Sequence, residues 1–391
     1  MTTRSAWTTQ NILFWGEGTR PADAERHEQI FGRARPGRFD SDAMPMSSNT
    51  HRYFAPRHQR LSTAEGNSTV ILITRGLGFI GSHTTRALLD LGESCVLVQR
   101  RAAQVPDDMV GEVGRRVFIE RADITDRRAF VEIGKRHKIT GIVHLAGSMP
   151  WPPGADEPVD GARTAIDSLL NVLEAARDWE IARVGAASTI GVYGGVAEEP
   201  PYREDMTLPM TAGHVIPAFK KIGELLADYV SDATDLEVIS LRIGSIWGPL
   251  GRAASPFFAA PQLVHAAVRG TSPDLSTLPS PARADDGIDL CYVRDCGRAI
   301  ALLQVTERLS YRTYNVGTGR VTTYGELASA IKKIVPGVKI GLPGGRDPNG
   351  TGRDLYLDIT RIRQDTGYQP AYDAERAAAD YIDWLRAGNE R

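Results

Sequence analysis

From about Thr69 onward the sequence predicts a doubly wound α/β fold, a parallel sheet covered by helices on both faces with a smaller C-terminal lobe. Three observations predict it. Short β-branched apolar runs alternate with stretches of helical period, a glycine-rich turn joins the first run to the first helix, and the helices are ten or more residues long, as right-handed crossovers between parallel strands require.

Residues 69–73, Thr-Val-Ile-Leu-Ile, are bounded by polar residues before and glycines after, and read as a buried strand. After Gly81 the apolar positions Ala87, Leu88 and Leu91 recur at helical spacing until Gly92 stops the helix, and residues 95–98 give a second strand. The alternation continues with a strand at 116–119, a helix around 128–136, a strand at 141–145, a helix over 165–178 and a strand at 183–187. Gly248-Pro249 ends a further strand, and beyond Leu250 the pattern loosens, with residues 272–287 rich in Ser, Pro and Asp, which predicts loops plus a smaller lobe. Residues 358–385 read as a helix, a turn at Gly367-Tyr368-Gln369-Pro370, and a final helix with Ala377, Ala378, Tyr381 and Trp384 inward. The expected division is an extension at 1–67, a dinucleotide-type domain at 68–250, and a lobe at 251–391 with segments returning to that domain. Residues 1–67 show no sustained period, which leaves two readings: a flexible leader, with Met44 or Met46 as alternative starts, or an arm packing on the domain or on a neighbour.

At 391 residues the chain holds one large α/β domain with insertions or two modest ones. A hydrophobic fraction of 42%, a charged fraction of 24% and a net charge of −2 lack the basic excess of nucleic-acid binding, so a small molecule is the expected partner. Cys95, Cys291 and Cys296 are an odd number and read as reduced thiols, and no metal site is expected. No apolar run reaches eighteen residues and no basic-then-apolar signal opens the chain, so the expectation is no membrane partner and a cytoplasmic location.

Gly76, Gly78 and Gly81 form a G-x-G-x-x-G pattern between the first strand and helix, which allows a tight turn, close approach of a pyrophosphate, and close packing of the helix. The helix N-terminus supplies N–H groups and a positive dipole end to phosphates. This predicts a Rossmann-type dinucleotide site. The second strand ends at Gln99, where NAD-binding proteins carry an acid for the ribose hydroxyls, and Arg100 and Arg101 follow. Two cations and no carboxylate favour NADP mildly over NAD. The plainer reading has both arginines solvating a surface loop.

Taken in order, Thr74 to Gly81, Asp123-Ile124, His144-Leu145-Ala146-Gly147, Leu170 to Ala176, Ser188-Thr189 with Val192-Tyr193-Gly194, Arg242 with Gly248-Pro249, Val293 with Asp295, and Tyr314 to Gly317 resemble the extended short-chain dehydrogenases, the family of NAD-dependent epimerases and dehydratases. The resemblance implies that Gly76, Gly78 and Gly81, with Phe79 and Ile80, line the pyrophosphate, Asp123 and Ile124 the adenine, and Leu145, Ala146 and Gly147 the cofactor's middle. Asp123 has a simpler reading as a helix N-cap. By the same resemblance Thr189 hydrogen-bonds the substrate oxygen, and Lys220, with Glu224 four residues on, holds the nicotinamide ribose and lowers the pKa of a neighbouring acid. The alternative for Lys220 is a solvated helix face. Homodimers through two-helix contacts are common in the resembled family.

Two departures stand out. The family's tyrosine, four residues before the lysine, is replaced by Ile216, and isoleucine carries no proton, which leaves His214, Tyr193 and Tyr202 as the nearby candidates. Arg75 replaces the first glycine of the turn, where it either strains the backbone or reaches a phosphate. Ile190 and Gly191 stand where family dehydratases carry acids, which argues against sugar dehydration, and Ser245 replaces an asparagine of many nucleotide-sugar enzymes. Residues 149–153, Met-Pro-Trp-Pro-Pro, read either as an apolar wall over the substrate or as a plain loop. The expected function is NAD(P)-dependent oxidoreductase or epimerase-like hydride transfer at a hydroxyl or keto carbon of a small molecule, with a sugar-derived substrate among the options. The alternative is a catalytically degenerate dinucleotide-binding protein.

Overall fold

The β-branched runs pair into a single sheet of seven parallel strands among the described residues, which are 69–147, 157–349 and 354–389 of a computed structural model. In chain order they are β1 (Val70–Thr74), β2 (Ser94–Gln99), β3 (Val117–Arg121), β4 (Gly141–His144), β5 (Arg183–Thr189), β6 (Glu237–Ile243) and a seventh, Thr313–Val316. Across the sheet the order is β3, β2, β1, β4, β5, β6 and then the seventh strand, so the chain reverses direction of growth between β1 and β4. A crevice opens at such a switch point, beyond the C-terminal ends of the strands.

Helices cover both faces. On one face α1 (Phe79–Asp90) packs against the helix Val293–Val305, and a Cβ on Gly297 would lie 2.5 Å from the His83 backbone, so the two helices meet main chain to main chain. Leu88, Leu97, Ile300 and Tyr314 fill this layer, and Leu72, Ile142, Val172 and Val184 fill the other. A third apolar cluster joins the helices Ala260–Arg269, Tyr324–Ile334 and Ala374–Arg386 around Trp247 and Tyr292. Burial pushes the Cys95 thiol up to about 12, and Cys291 and Cys296 are raised by the same cause.

The predicted strands lie where expected. The helix expected over 165–178 begins earlier, at Pro158, because Glu157 accepts from the N–H groups of Val159 (2.8 Å) and Asp160 (3.1 Å) and proline suits a first turn. The helix around 128–136 is two short ones, Arg127–Val131 and Ile133–Arg136. Beyond Leu250 the chain is more regular than its loosened pattern predicts: residues 260–269 form a helix whose positions from Ala260 to Ala267 are all buried. Expectations for residues 1–67 and for the Met149-to-Pro153 wall fall outside the described residues. Among the described residues no helix is long and apolar enough to cross a membrane.

Candidate active site

The glycine turn leaves β1 at Thr74. Arg75 takes φ 56°, its N–H donates to the Val98 carbonyl (2.8 Å), and its own carbonyl accepts from Gly78 (2.8 Å). A left-handed conformation costs a non-glycine residue about 1–2 kcal/mol, so Arg75 carries the strain its identity predicts. A Cβ on Gly81 would strike the Arg75 carbonyl oxygen, and one on Gly76 would sit 2.7 Å from the Leu97 side chain, so both positions demand glycine. Gly78 opens α1 with no side-chain cap and no acid in the first turn, which leaves the positive end of the helix uncompensated. With its amide turned so that oxygen faces donors, Gln99 accepts from Gly76 N–H (2.9 Å) and Leu77 N–H, so it braces the turn from the end of β2.

Beyond β3, the Asp123 carboxylate accepts from Thr125 N–H (3.0 Å) and Thr125 hydroxyl (2.8 Å). Burial works to raise its pKa, but these two bonds and Arg100, 3.8 Å away, hold it below the usual carboxylate range. Asp126 is the residue that caps the next helix, through Ala129 N–H (3.1 Å). The N-cap reading of Asp123 is therefore replaced by an Asx turn one step earlier. Asn171 donates to the carbonyls of Ile124 (2.9 Å) and Thr125 (3.2 Å) and pins this loop to the helix Pro158–Asp178, while Ile124 itself is buried in the apolar layer.

The Thr74 hydroxyl accepts from the N–H groups of Leu145 and Ala146, both at 3.0 Å, and lies 3.0 Å from His144 Nδ1. With both acceptor directions used, its single proton goes to Nδ1, which places the imidazole proton on Nε2. Burial, with Lys220 adding to it, pushes the His144 pKa down to about 3, so the ring is neutral. His144, Ser188, Lys220 and Glu224 line a small cavity of about 40 Å³. Burial lowers the Lys220 pKa to about 8 against the opposing pull of Glu224, and Nζ forms no hydrogen bond or ion pair among the described residues. Lys220 is thus half-buried and its amine is available, unlike Lys221, which donates to the carbonyls of Pro209 and Thr211.

Thr189 ends β5 and caps the short 3-10 turn Ile190–Tyr193 by accepting from Gly191 N–H (3.2 Å), which leaves its hydroxyl proton to donate elsewhere. The neighbouring Ser188 donates to Glu224, whose carboxylate is held by Arg242 (2.7 Å). Arg242 also donates to the Tyr193 hydroxyl (2.9 Å), which itself donates to Asn315 Oδ1 (2.8 Å), and burial pushes Tyr193 up to about 12. Tyr202 stacks on Tyr193 at 5.1 Å and both are buried. These tyrosines belong to a buried network and line neither the small cavity nor the cleft beside the glycine turn. His214 caps the helix Val215–Ala233 through Nδ1, which faces Ile216 N–H at 3.4 Å, and its exposed ring stacks on Phe257.

A cleft of about 490 Å³ runs beside the turn, within the range of small-molecule sites. Arg75, Gly78, Ile80, Ile216, Trp247 and Phe257 are among its lining residues, and no carboxylate lines it among the described residues. Ile216 occupies the open cleft, whereas Lys220 lies in the small cavity next to it; Ala187 is a wall of both. A glycine cradle that rejects any Cβ, an uncapped helix start and a cleft without acids fit the diphosphate of a dinucleotide.

The family model described as the NAD dependent epimerase/dehydratase family matches residues 71–317. The chain belongs to this family. UDP-glucose 4-epimerase of Mus musculus is 26% identical over 343 residues, covering 81% of this chain and 96% of that one, and the enzyme of the same name from Azospirillum brasilense is 28% identical over 320 residues, covering 78% and 88%. Among solved structures, Thermus thermophilus UDP-glucose 4-epimerase in complex with NAD superposes with a TM-score of 0.63 at 25% identity, covering 82% of this chain and all of that one. UDP-N-acetylglucosamine 4-epimerase from Methanobrevibacter ruminantium, at 21% identity, gives 0.69 over 83% and 100% and shows the shared fold.

In this epimerase/dehydratase frame the structure gathers Gly78, Phe79, Ile80, Gly81 and Leu145 at one cleft and places Gly147, Ala146 and Lys220 around the adjoining cavity, while Gly76 packs under the turn against Leu97. Asp123 and Arg100 stand apart, beyond the ends of β2 and β3. Sequence reasoning used Thr74, Ser188, Glu224 and Arg242 as marks of the resemblance but did not foresee the hydrogen bonds that join Ser188, Glu224 and Arg242 or those of Thr74. All four side chains are buried and polar, Thr74, Ser188 and Arg242 at or near strand ends and Glu224 on the helix Val215–Ala233.

Proposed function

We propose that the protein is an NAD(P)-dependent oxidoreductase or epimerase that transfers hydride at a hydroxyl- or keto-bearing carbon of a small molecule. The observation that carries this reading is the glycine cradle at the sheet's switch point, opening on an acid-free cleft. The bound nicotinamide supplies a hydride acceptor or donor. Gly76, Gly78, Phe79, Ile80 and Gly81 hold its diphosphate, Asp123 and Ile124 face the adenine, and Leu145, Ala146 and Gly147 flank the middle.

Lys220 holds the nicotinamide ribose and, with Ile216 in the tyrosine's place, also carries the substrate proton; an amine with a pKa of about 8 exchanges a proton near neutral pH. Thr189 donates to the reacting oxygen. His214, exposed at the rim with Nδ1 turned to its own helix, is the lesser candidate. The relatives named UDP-glucose 4-epimerase favour a sugar nucleotide as substrate. NADP is preferred mildly over NAD, because the Gln99 amide is neutral and spent on the turn while Arg100 stands at the ribose end; Asp123 opposite Arg100 keeps the preference small.

We also propose a homodimer. Leu170 on the helix Pro158–Asp178 and Ile222, Leu225 and Tyr229 on the helix Val215–Ala233 are exposed apolar residues, with Tyr229 at 69%. Incubating the purified chain with NAD or NADP and a panel of alcohols, ketones and nucleotide sugars tests the reaction. Thr189→Ala and Lys220→Met are expected to abolish turnover with dinucleotide binding retained; unchanged turnover refutes their roles, and binding without any turnover by the natural chain identifies a dinucleotide-binding protein that performs no chemistry.

A further inference from the structure

We propose that Arg75 is a phosphate clamp: its guanidinium, folded over Gly78 at the mouth of the cleft, pairs with the diphosphate of the bound dinucleotide. This rests on the dinucleotide reading above and adds a binding residue where the turn otherwise offers only backbone.

Three observations carry it. Arg75 is one of three non-glycine residues with positive φ among the described residues, the others being Glu180 and Leu250, and it alone of the three lines the cleft. A sparsely populated backbone conformation held at a site wall is tolerated where the side chain does something there. The direction of that side chain is fixed by its packing: a Cβ built on Gly78 would meet Arg75 Cγ at 2.8 Å and Nε at 3.2 Å, so the arm lies across the residue that opens α1. Finally, the charge is uncompensated. Arg75 makes no ion pair among the described residues, no carboxylate lines the cleft, and the second cation of the lining, Arg252, follows Gly251, whose own Cβ would touch the Phe79 ring at 3.0 Å. Two guanidinium groups and an uncapped helix start therefore border the same space.

A guanidinium presents paired N–H donors that match two phosphate oxygens, and the helix N–H groups approach from the other side. The diphosphate is common to NAD and NADP, so Arg75 strengthens both without choosing between them. That separates its role from the one given to Arg100, which concerns the ribose.

The test is calorimetric titration of the full chain and of Arg75→Gly and Arg75→Gln with NAD⁺, NADP⁺ and ADP-ribose, at low and high salt, together with melting of the unliganded proteins. Arg75→Gly is expected to weaken all three ligands by about tenfold or more, with a flatter salt dependence and a melting temperature no lower than that of the natural chain, since glycine adopts this φ freely. Arg75→Gln is expected to show the same uniform loss and serves should the glycine variant fail to fold. Equal or tighter binding by the variants overturns the proposal, as does a loss confined to NADP⁺, which would assign the guanidinium to the 2′-phosphate. A natural chain that binds none of the three overturns the dinucleotide reading itself, whereas unchanged variants of a chain that binds all three overturn only the role of Arg75.

Discussion

Ile216 and Lys220 stand one helical turn apart on the helix Val215–Ala233, and they line different spaces: Ile216 the larger cleft with Trp247, Lys220 the small cavity with His144 and Ser188. Residues four apart share a helix face, so a hydroxyl at 216 would sit beside the amine's approach to the cleft. Isoleucine puts hydrocarbon there instead.

Ile216→Tyr should therefore raise kcat by about a hundredfold, the usual worth of a positioned acid–base group. The Kd for the dinucleotide should change little. Steady-state kinetics with a substrate found by the panel checks this, and an unaltered kcat would show that a phenol at 216 adds nothing to the proton transfer assigned to Lys220.

Lys220 links pH to both rate and stability. Its amine titrates at about 8 in the folded chain against about 10.4 for an unfolded lysine. Between those values the unfolded state binds more protons, so stability rises with pH there, and below 8 the burial of the ammonium is a full penalty. Lys220→Met should melt higher than the natural chain at pH 7, with the gap closing as pH climbs from 8 towards 10. In the oxidation direction the natural enzyme should gain rate through about pH 8, as the neutral amine that accepts the proton appears. A melting gap that does not narrow would contradict the assignment.

The Arg242–Glu224 pair is buried, and each partner has the other plus further hydrogen bonds: Ser188 on the carboxylate, Tyr193 on the guanidinium. Breaking such a pair by removing one partner costs about 3–5 kcal/mol, so Arg242→Ala should show a loss of that order in denaturant unfolding. Tyr193→Phe, which strips one hydroxyl from Arg242 and Asn315, should cost about 1–3 kcal/mol while leaving kcat per folded molecule intact. A collapse of kcat in a fully folded Tyr193→Phe protein would return that phenol to the list of proton carriers.

Leu225→Asp combined with Tyr229→Asp should halve the mass seen by light scattering, because both side chains are exposed and apolar on one helix. The melting temperature of the dissociated chain should fall with dilution less than that of the natural protein. An unchanged mass would place the interface elsewhere or leave the chain monomeric.

The sheet was legible because strands buried on both faces read as β-branched runs, and Gly76, Gly78 and Gly81 were legible because steric demands leave glycine no substitute. The early start of the helix at Pro158 was not, since its cap is a glutamate at 157, outside the usual Ser/Thr/Asp/Asn set. Gln99 was read as facing the ribose, yet its amide turns back to Gly76 and Leu77; one residue name fits both, and only geometry separates them. The same holds for Tyr193, whose hydroxyl is engaged by Arg242 from β6 and Asn315 from the seventh strand, partners far away in the chain.

Dinucleotide capture by the glycine turn is tested most directly by calorimetric titration of the pure chain with oxidised and reduced NAD and NADP, beside Gly81→Val, whose side chain would collide with the Arg75 carbonyl. Saturable heat corresponding to one dinucleotide per chain, abolished in the folded valine variant, is the result expected. No heat with any of the four nucleotides, or full binding by the variant, would contradict the account.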